Sequence, residues 1–338
     1  MLVDFRSDTL TKPTPGMLEA MRNAITGDDV FVEDPTVLKL ESMAASLFGM
    51  EAAIYCPTGT MSNQIAIKVH TLPGDEVICE GTAHVYQYEG GGIAFNSGCQ
   101  VKLIAGHYGR ITSTQIAEAL NPDDIHKPIS KLVCLENTAN RGGGSCYDFE
   151  EIKKISGFCK EHNLFLHLDG ARLFNALIAK NETPLQYGTV FNSISVCLNK
   201  GLGCPIGSLL LGTELFIQKA RRIRKVFGGG MRQAGYMAAT GIYALQNHVH
   251  RLSEDHKRAA DIANALRKKH FCGTLLPVET NIIIFEINPT HTTKQVIELF
   301  NTHGIRVIGM TTTHIRLVVH LDITQEMVHY VIDCIERM

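Results

Sequence analysis

Short apolar runs alternate with helix-like stretches along this chain, and that alternation limits the possible folds more than any other feature. Six runs rich in Val, Ile, Leu and Cys resemble strands buried on both faces: 52–59, 75–81, 100–106, 131–137, 164–170 and 193–201. Helix-like segments such as 114–120 and 149–162 lie between several of them. This order is typical of a mostly parallel sheet with helices on both faces. It predicts an α/β fold that binds ligands at the carboxyl ends of its strands.

A different pattern begins after about residue 250 and predicts a second, smaller α+β unit. Its elements are an apolar run at 281–287, a helix near 293–303, apolar runs at 305–310 and 314–320, and a helix near 324–337. We therefore expect a large domain over residues 14–245 and a small C-terminal domain over residues 246–338.

Charge and composition exclude several classes of function. A net charge of −2 over 338 residues provides no field that would favour nucleic acid or an anionic membrane. The basic run KARRIRK (219–225) lacks interleaved aromatic residues, so we expect a solvated or subunit-facing helix surface. Asp4 and Arg6 lie where a signal peptide would have an apolar run. No apolar stretch is long enough to span a bilayer. The ten cysteines are scattered, and none of them form a CxxC pair. We expect a cytoplasmic protein with reduced thiols.

Lys200 stands in an unusual position for a lysine. It follows an apolar run and is followed by Gly201, Gly203, Pro205 and Gly207. A lysine that is desolvated at a strand end has a lowered pKa, and its amine can then attack a carbonyl group. The alternative is a lysine whose ammonium group reaches solvent at a turn.

Asp169 makes the chemical interpretation of Lys200 more specific. It ends an apolar run in HLDGAR (167–172), about thirty residues before Lys200. Pyridoxal phosphate (PLP) enzymes combine a Schiff-base lysine with an acidic partner for the ring nitrogen. Taken alone, Asp169 could equally be the N-cap of a helix.

Two further segments offer groups that suit the same cofactor. CPTGTMSNQ (56–64) places Gly59 and Thr60 at a turn that leads into a helix, where free N–H groups attract phosphate. His84 in GTAHVYQYEGGG (81–92) has a flat ring that can stack on a flat cofactor. An ordinary capped helix start and a structural histidine are the alternatives.

Together these residues resemble the low-specificity threonine aldolase family, whose members are fold-type I PLP enzymes related to the β-eliminating lyases. The resemblance runs from end to end of the chain. Its motifs are FRSDTLTKPT (5–14), GDDVFVEDPTV (27–37), PTGTMSNQIA (57–66), HVYQYEGGG (84–92), DDIHKP (123–128), LVCLENTANRGGG (132–144), LHLDGARLFNA (166–176), LNKGLGCPIGS (198–208), FGGGMRQAG (227–235) and HIRLVVHLDIT (314–324).

The resemblance implies a role for each matching residue. Lys200 would hold the cofactor covalently, Asp169 would bind its ring nitrogen, and His84 would stack on the ring. Gly59 and Thr60 would bind the phosphate together with Arg232 of a neighbouring subunit. Ser7, Arg172 and Arg316 would bind the substrate carboxylate, with Arg172 also beside the cofactor, and His126 would lie near the substrate hydroxyl. Residues 1–13 would thus contribute to the active site, in a homotetramer built as a dimer of dimers.

The implied reaction is cleavage of threonine or allo-threonine to glycine and an aldehyde. The base that takes the hydroxyl proton is left open between His84, His126 and a bound water. Two alternatives also stay open: another PLP activity, such as β-elimination, desulfuration or transamination, and a binding protein of the same fold that has lost catalysis.

Three residues depart from the family pattern. Phe31 and Val32 stand where the family usually has a tyrosine and a small residue, and Ala139 stands where it usually has a histidine. None of these changes alters the lysine, the aspartate or the arginines. We therefore expect them to affect side-chain preference and rate rather than cofactor binding.

Overall fold

The computed structural model describes all 338 residues and has an α/β fold. The strands are β1 (Val3–Asp4), β2 (Ala52–Cys56), β3 (Glu76–Glu80), β4 (Gln100–Ile104), β5 (Ser130–Glu136), β6 (Phe165–Gly170), β7 (Ser193–Cys197), β8 (Ser208–Gly212), β9 (Cys272–Leu275), β10 (Ile282–Ile287), β11 (Ile305–Arg306), β12 (Ile308–Gly309) and β13 (His314–Val318). The α-helices are α1 (Pro15–Arg22), α2 (Pro35–Phe48), α3 (Gly59–His70), α4 (His84–Gln87), α5 (Ser113–Ala119), α6 (Phe149–Glu161), α7 (Leu173–Lys180), α8 (Pro184–Gly188), α9 (Glu214–Val226), α10 (Gly235–Asn247), α11 (Leu252–Leu266), α12 (Thr293–Thr302) and α13 (Gln325–Arg337).

The large sheet has seven strands in the order β2-β8-β7-β6-β5-β3-β4. Strands β4, β3, β5, β6 and β7 are parallel to one another, and β8 is antiparallel to both of its neighbours. This confirms the predicted mostly parallel sheet. Because parallel strands end at the same edge, the loops after β3, β5, β6 and β7 meet there.

Both faces of the large sheet are buried, as β8 illustrates. Leu209 and Leu211 belong to the core formed with α1, α2 and α10, whereas Leu210 between them packs with α3 and α9 on the opposite face. No helix in the structure has the length and apolar composition needed to cross a membrane.

The C-terminal part builds a four-stranded antiparallel sheet in the order β12-β13-β10-β9. The N-terminal segment joins its core, because β1 pairs with β11 and the Phe5 carbonyl accepts a hydrogen bond from Val318 N (2.8 Å). Val3 and Phe5 are buried among Ile283, Phe285 and Leu317. The chain then passes directly from this core to Ser7 and Asp8.

Two segments differ from their sequence-based interpretation. The run 305–310 is not one strand: β11 pairs with β1, β12 pairs with β13, and Val307 lies between them. The basic run 219–225 lies on α9, but it is not solvated throughout. Arg224 is buried, donates to the Tyr55 carbonyl (2.6 Å) and pairs with Asp29 (2.8 Å).

Candidate active site

Lys200 lies in the loop that connects β7 to the antiparallel strand β8. The loop closes through hydrogen bonds from Leu198 N to the Gly207 carbonyl (2.9 Å) and from Gly203 N to the Lys200 carbonyl (2.8 Å). Gly207 has φ of 117°, and a Cβ there would lie 2.5 Å from the Tyr55 hydroxyl. The glycines therefore allow the turn that holds half-buried Lys200 at the carboxyl edge of the sheet.

Asp169 is fixed near the end of β6, one strand away. It is 2% exposed, and its carboxylate accepts hydrogen bonds from Asn63 Nδ2 (3.0 Å) and Ala171 N (3.1 Å). The Asn63 amide is oriented in turn by His167 Nε2, which lies 3.1 Å from Asn63 Oδ1. Burial lowers the pKa of His167 to about 4, so this ring is neutral and acts as a hydrogen-bonding group.

His84 begins the short helix α4 and is held at two points. Its backbone N–H donates to Glu136 Oε2 (2.7 Å), and its Nδ1 donates to Glu89 Oε1 (2.9 Å). Burial alone lowers the pKa of the imidazole, but the hydrogen bond to Glu89 and the charge of Asp169 raise it above its ordinary value. Nε2 is the ring nitrogen left without a protein partner.

The phosphate-binding position predicted at Gly59 and Thr60 is the N-terminus of α3. Thr58 caps the helix by accepting from Met61 N (3.1 Å), which leaves the Gly59 and Thr60 N–H groups at the open end. A Cβ on Gly59 would lie 2.5 Å from Cys197 Sγ. Only glycine therefore allows α3 to approach the end of β7 this closely.

These side chains line one cavity of about 150 Å³, which includes Gly59, Thr60, His84, Asp169 and Lys200. The residues present fit PLP: a helix N-terminus for an anion, a buried carboxylate for a cationic ring nitrogen, a flat imidazole and a primary amine.

His84, Glu89 and Asp169 also offer metal-ligand atoms within 4.8 Å of one another. Because these atoms already bond to one another or to Asn63, Gln64 and Ala171, we place no metal there.

Arg172 and Ser7 lie beside this cavity, joined through Asp8. Arg172 Nε and Nη2 each lie 2.7 Å from an Asp8 oxygen, and both side chains are buried. Ser7 Oγ accepts from Thr9 N (3.2 Å) and caps the 3₁₀ turn that contains Asp8. Burial alone would raise the pKa of Asp8, but the charges of Arg172, Lys200 and Arg316 lower this pKa to about 2.

Arg316 lines an adjacent cavity of about 230 Å³, which shares His84 with the first. It donates from Nη1 to Asn140 Oδ1 (2.7 Å) and from Nη2 to the Arg6 carbonyl (3.0 Å). Its Nε is buried and has no partner. Burial and the charges of Arg172 and Arg141 lower the pKa of Arg316 to about 10, so it stays charged at neutral pH. An anion is the ligand that this guanidinium lacks.

Four predicted residues line neither cavity of the single chain: Ser7 and Arg172, which are described above, and His126 and Arg232. His126 is on an exposed loop with its Nδ1 2.8 Å from Asp124 Oδ1. Arg232 is exposed and pairs with Asp28 (2.8 Å). The roles of all four residues stay predictions.

Sequence reasoning missed the groups that hold the predicted side chains in place: Asp8, Asn63, Glu89 and, as a hydrogen-bond acceptor, Glu136. The sequence indicated a position for Glu136 at the end of a strand, because this residue ends an apolar run, but it did not indicate which groups Glu136 binds. Asn63 and Glu89 lie in motifs we singled out, but their contacts with Asp169 and His84 depend on the fold. Asp8 had no signal of its own, since its partner is 164 residues away.

The comparisons with known proteins agree with this geometry. The model of the β-eliminating lyase family matches residues 4–290. A probable low-specificity L-threonine aldolase 2 of Arabidopsis thaliana is 40% identical, with 99% of this chain and 97% of the relative aligned. The low specificity L-threonine aldolase of Escherichia coli K12 is 41% identical over 96% of each chain. The solved structure of Leishmania major threonine aldolase shares the fold, with a TM-score of 0.86 at 23% identity over 99% of each chain.

The buried pair between Asp8 and Arg172 leads to a prediction about stability. Asp8→Asn should lower the free energy of unfolding by about 3 kcal/mol or more, because it leaves Arg172 buried without a counter-charge. Asp4→Asn is the control, since its pair with Arg6 is partly exposed and should be worth under about 1 kcal/mol. Urea unfolding at fixed protein concentration measures both. Equal losses would contradict a special role for the buried pair.

The same pair should also contribute to acid sensitivity. The folded-state pKa of Asp8 is about 2, against 3.8 as its ordinary value. Its stabilisation, about 2 kcal/mol, is therefore complete above about pH 5 and is lost progressively as pH falls through the folded-state pKa towards about pH 1. Asp8→Asn should remove that part of the wild-type decline.

Proposed function

The chain belongs to the β-eliminating lyase family, and we propose that it is a PLP-dependent lyase that cleaves threonine and allo-threonine to glycine and acetaldehyde. One observation carries the proposal: Lys200, Asp169 and His84 line a single cavity, and His84 also lines the adjacent cavity of Arg316, whose buried Nε has no hydrogen-bond partner. The first cavity suits the cofactor, and the second suits the carboxylate of an amino acid.

When bound, PLP stabilises the electron pair that remains on Cα after a bond to Cα breaks. Lys200 supplies the amine that holds the cofactor. Asp169, kept as a buried acceptor by Asn63 and Ala171, keeps the ring nitrogen protonated. Arg316 binds the α-carboxylate of the substrate, and its guanidinium, held by Asn140 and the Arg6 carbonyl, orients the amino acid so that Cα–Cβ is the bond that breaks.

His84 is the group best placed to take the β-hydroxyl proton. Glu89 accepts the Nδ1 proton and so presents Nε2 as the basic nitrogen. His126 lies outside both cavities of its own chain, so in this proposal it can act only on a site of another subunit. The pKa of His84 is raised above the ordinary value of an imidazole. His84 therefore loses its proton, and becomes able to act as a base, at a higher pH than an ordinary histidine does.

We extend the proposal to the assembly. Arg232 is exposed and lies outside the cavities of its own chain, which agrees with a role in the phosphate site of a neighbouring subunit. The proposed assembly is a homotetramer built from two dimers, and its proposed place is the cytoplasm, where it would produce glycine.

The activity is tested by measuring aldehyde and glycine released from threonine and allo-threonine with PLP present. The wild-type protein should release both products in equal amounts, and Lys200→Ala should not. Lys39→Ala, an exposed lysine on α2, is the matched control. Borohydride reduction followed by peptide mass spectrometry should locate the cofactor on Lys200. Pyruvate from serine, or a 2-oxo acid from threonine without glycine, would instead indicate elimination or transamination.

The role of Glu89 is tested by pH dependence. Because Glu89 raises the pKa of His84, Glu89→Gln should lower that pKa and move the acid limb of kcat/KM to lower pH. The rate at high pH should be less affected. If the limb stays in place in Glu89→Gln but disappears in His126→Asn, the base is His126.

Sharing of sites between subunits is tested with hybrids. Lys200→Ala and Arg232→Ala proteins, each inactive, should regain roughly a quarter of the wild-type activity after subunit exchange, because one site of each hybrid dimer carries neither change. Lys200→Ala mixed with Asp169→Asn is the control, since both changes damage the site of their own chain. Inactive hybrids, with hybrid formation demonstrated by tag capture, would refute sharing.

A further inference from the structure

The cavity next to the Lys200 site is cationic, and no acidic side chain lines it. Its charged members are Arg316, Arg141 and His84, and Tyr88 and Met310 are also in its wall. An adjoining cavity of about 280 Å³ shares Arg141, Tyr88 and Met310 and also lacks an acidic residue. One α-carboxylate can neutralise only one of the two guanidinium groups.

Arg141 forms no ion pair with any carboxylate of the chain. Its Nη1 makes one long hydrogen bond, to the Met310 carbonyl (3.4 Å), and its guanidinium carbon lies 4.9 Å from the centre of the Tyr88 ring. The half-buried guanidinium of Arg141 is therefore oriented only by weak contacts with uncharged groups.

The backbone around Arg141 is held more firmly than its side chain. Asn140 N donates to Glu136 Oε1 (2.8 Å), and the other oxygen of Glu136 accepts from His84 N. The Ala139 carbonyl accepts from both Gly142 N (3.1 Å) and Gly144 N (2.9 Å). The loop thus has a fixed position relative to His84, which fixes where the second cation stands.

We propose that Arg141 binds a carboxylate on the substrate side chain, so that the preferred substrates are β-hydroxy-α-amino acids with an acidic side chain. This rests on the proposed function and specifies its substrate class. Arg316 takes the α-carboxylate and Arg141 takes the distal one. Because Arg316 is taken by the α-carboxylate, one guanidinium is left for the distal group, and it matches a carboxylate monoanion better than a doubly charged phosphate.

The reaction needs no further reagent. In 3-hydroxyaspartate the Cα–Cβ bond breaks, the β-hydroxyl proton leaves to the base, and the hydroxyl oxygen becomes the carbonyl oxygen of glyoxylate. The electron pair stays with Cα, which then takes up one proton to give glycine. 3-Hydroxyglutamate would give glycine and 3-oxopropanoate by the same steps. The methyl group of threonine leaves Arg141 without a partner.

The test compares kcat/KM for threonine, 3-hydroxyaspartate and 3-hydroxyglutamate in the wild type, Arg141→Gln and Arg141→Lys. At least one acidic substrate should exceed threonine in the wild type. Arg141→Gln should lower its kcat/KM on the order of tenfold to a hundredfold, with threonine changed less than about threefold, and Arg141→Lys should restore part of the loss. Arg267→Gln, an exposed arginine directly after α11, is the matched control.

A binding experiment gives a readout that does not require turnover. Aspartate and alanine lack the β-hydroxyl, so neither can be cleaved at Cα–Cβ. Calorimetry on the holoenzyme should find aspartate bound more tightly than alanine, and Arg141→Gln should remove the difference.

The outcomes separate this inference from the proposed function. Cleavage of threonine with no preference for either acidic substrate overturns the inference alone. An equal loss for threonine and the acidic substrates in Arg141→Gln also overturns it, because Arg141 would then bind the α-carboxylate. Failure to cleave any β-hydroxy amino acid, with PLP bound, overturns the proposed function.

Discussion

The site depends on one buried ion pair, which joins two parts of the chain that belong to different sheets. Asp8 follows a segment whose Val3 and Phe5 pack in the C-terminal core, and Arg172 follows strand β6 of the large sheet. Because both charges are almost completely buried, the free energy of leaving either one unpaired is high. The pair therefore fixes the N-terminal segment against the carboxyl edge of the large sheet, and the charges of Lys200 and Arg316 further favour the ionised Asp8 carboxylate.

Buried carboxylates fix the rest of the site in the same way. Glu136 accepts from the backbone N–H groups of His84 and Asn140, and so positions the ring histidine and the Arg141 loop together. Asn63 donates to both Glu89 and Asp169. A buried carboxylate needs several donors, and here the donors are the groups that hold the cofactor and substrate positions. The geometry around PLP is therefore set by the protein before any ligand binds.

The sequence predicted the parts of this site that follow from local pattern. Lys200 and Asp169 could be assigned because each follows an apolar run, and runs of this kind form parallel strands that end at one edge. The pairing of Asp8 with Arg172 could not be predicted, since contacts between distant residues depend on how the two sheets pack.

The sequence analysis also missed strand β8. Its three leucines form an apolar run, but nothing local shows that this strand runs antiparallel to β7. The split of 305–310 between two sheets has the same cause, because pairing partners lie elsewhere in the chain. The roles proposed for His126 and Arg232 would involve a second subunit, so neither the local pattern nor the single chain tests them.

The departures from the family pattern line neither site cavity: Ala139 is buried, whereas Phe31 and Val32 are exposed. Ala139 is buried at the turn that carries Arg141, where a Cβ on Gly109 would lie 2.6 Å from the Ala139 Cβ. A larger side chain at position 139 would displace this turn, so alanine and the Arg141 position are coupled. Phe31 is exposed, with its ring 6.0 Å from the Arg232 guanidinium carbon. In the proposed assembly, Phe31 and Arg232 would both lie at the active site of the neighbouring subunit. Substrate preference would then be set from two chains, by the Ala139–Arg141 turn of one subunit and by Phe31 of the other.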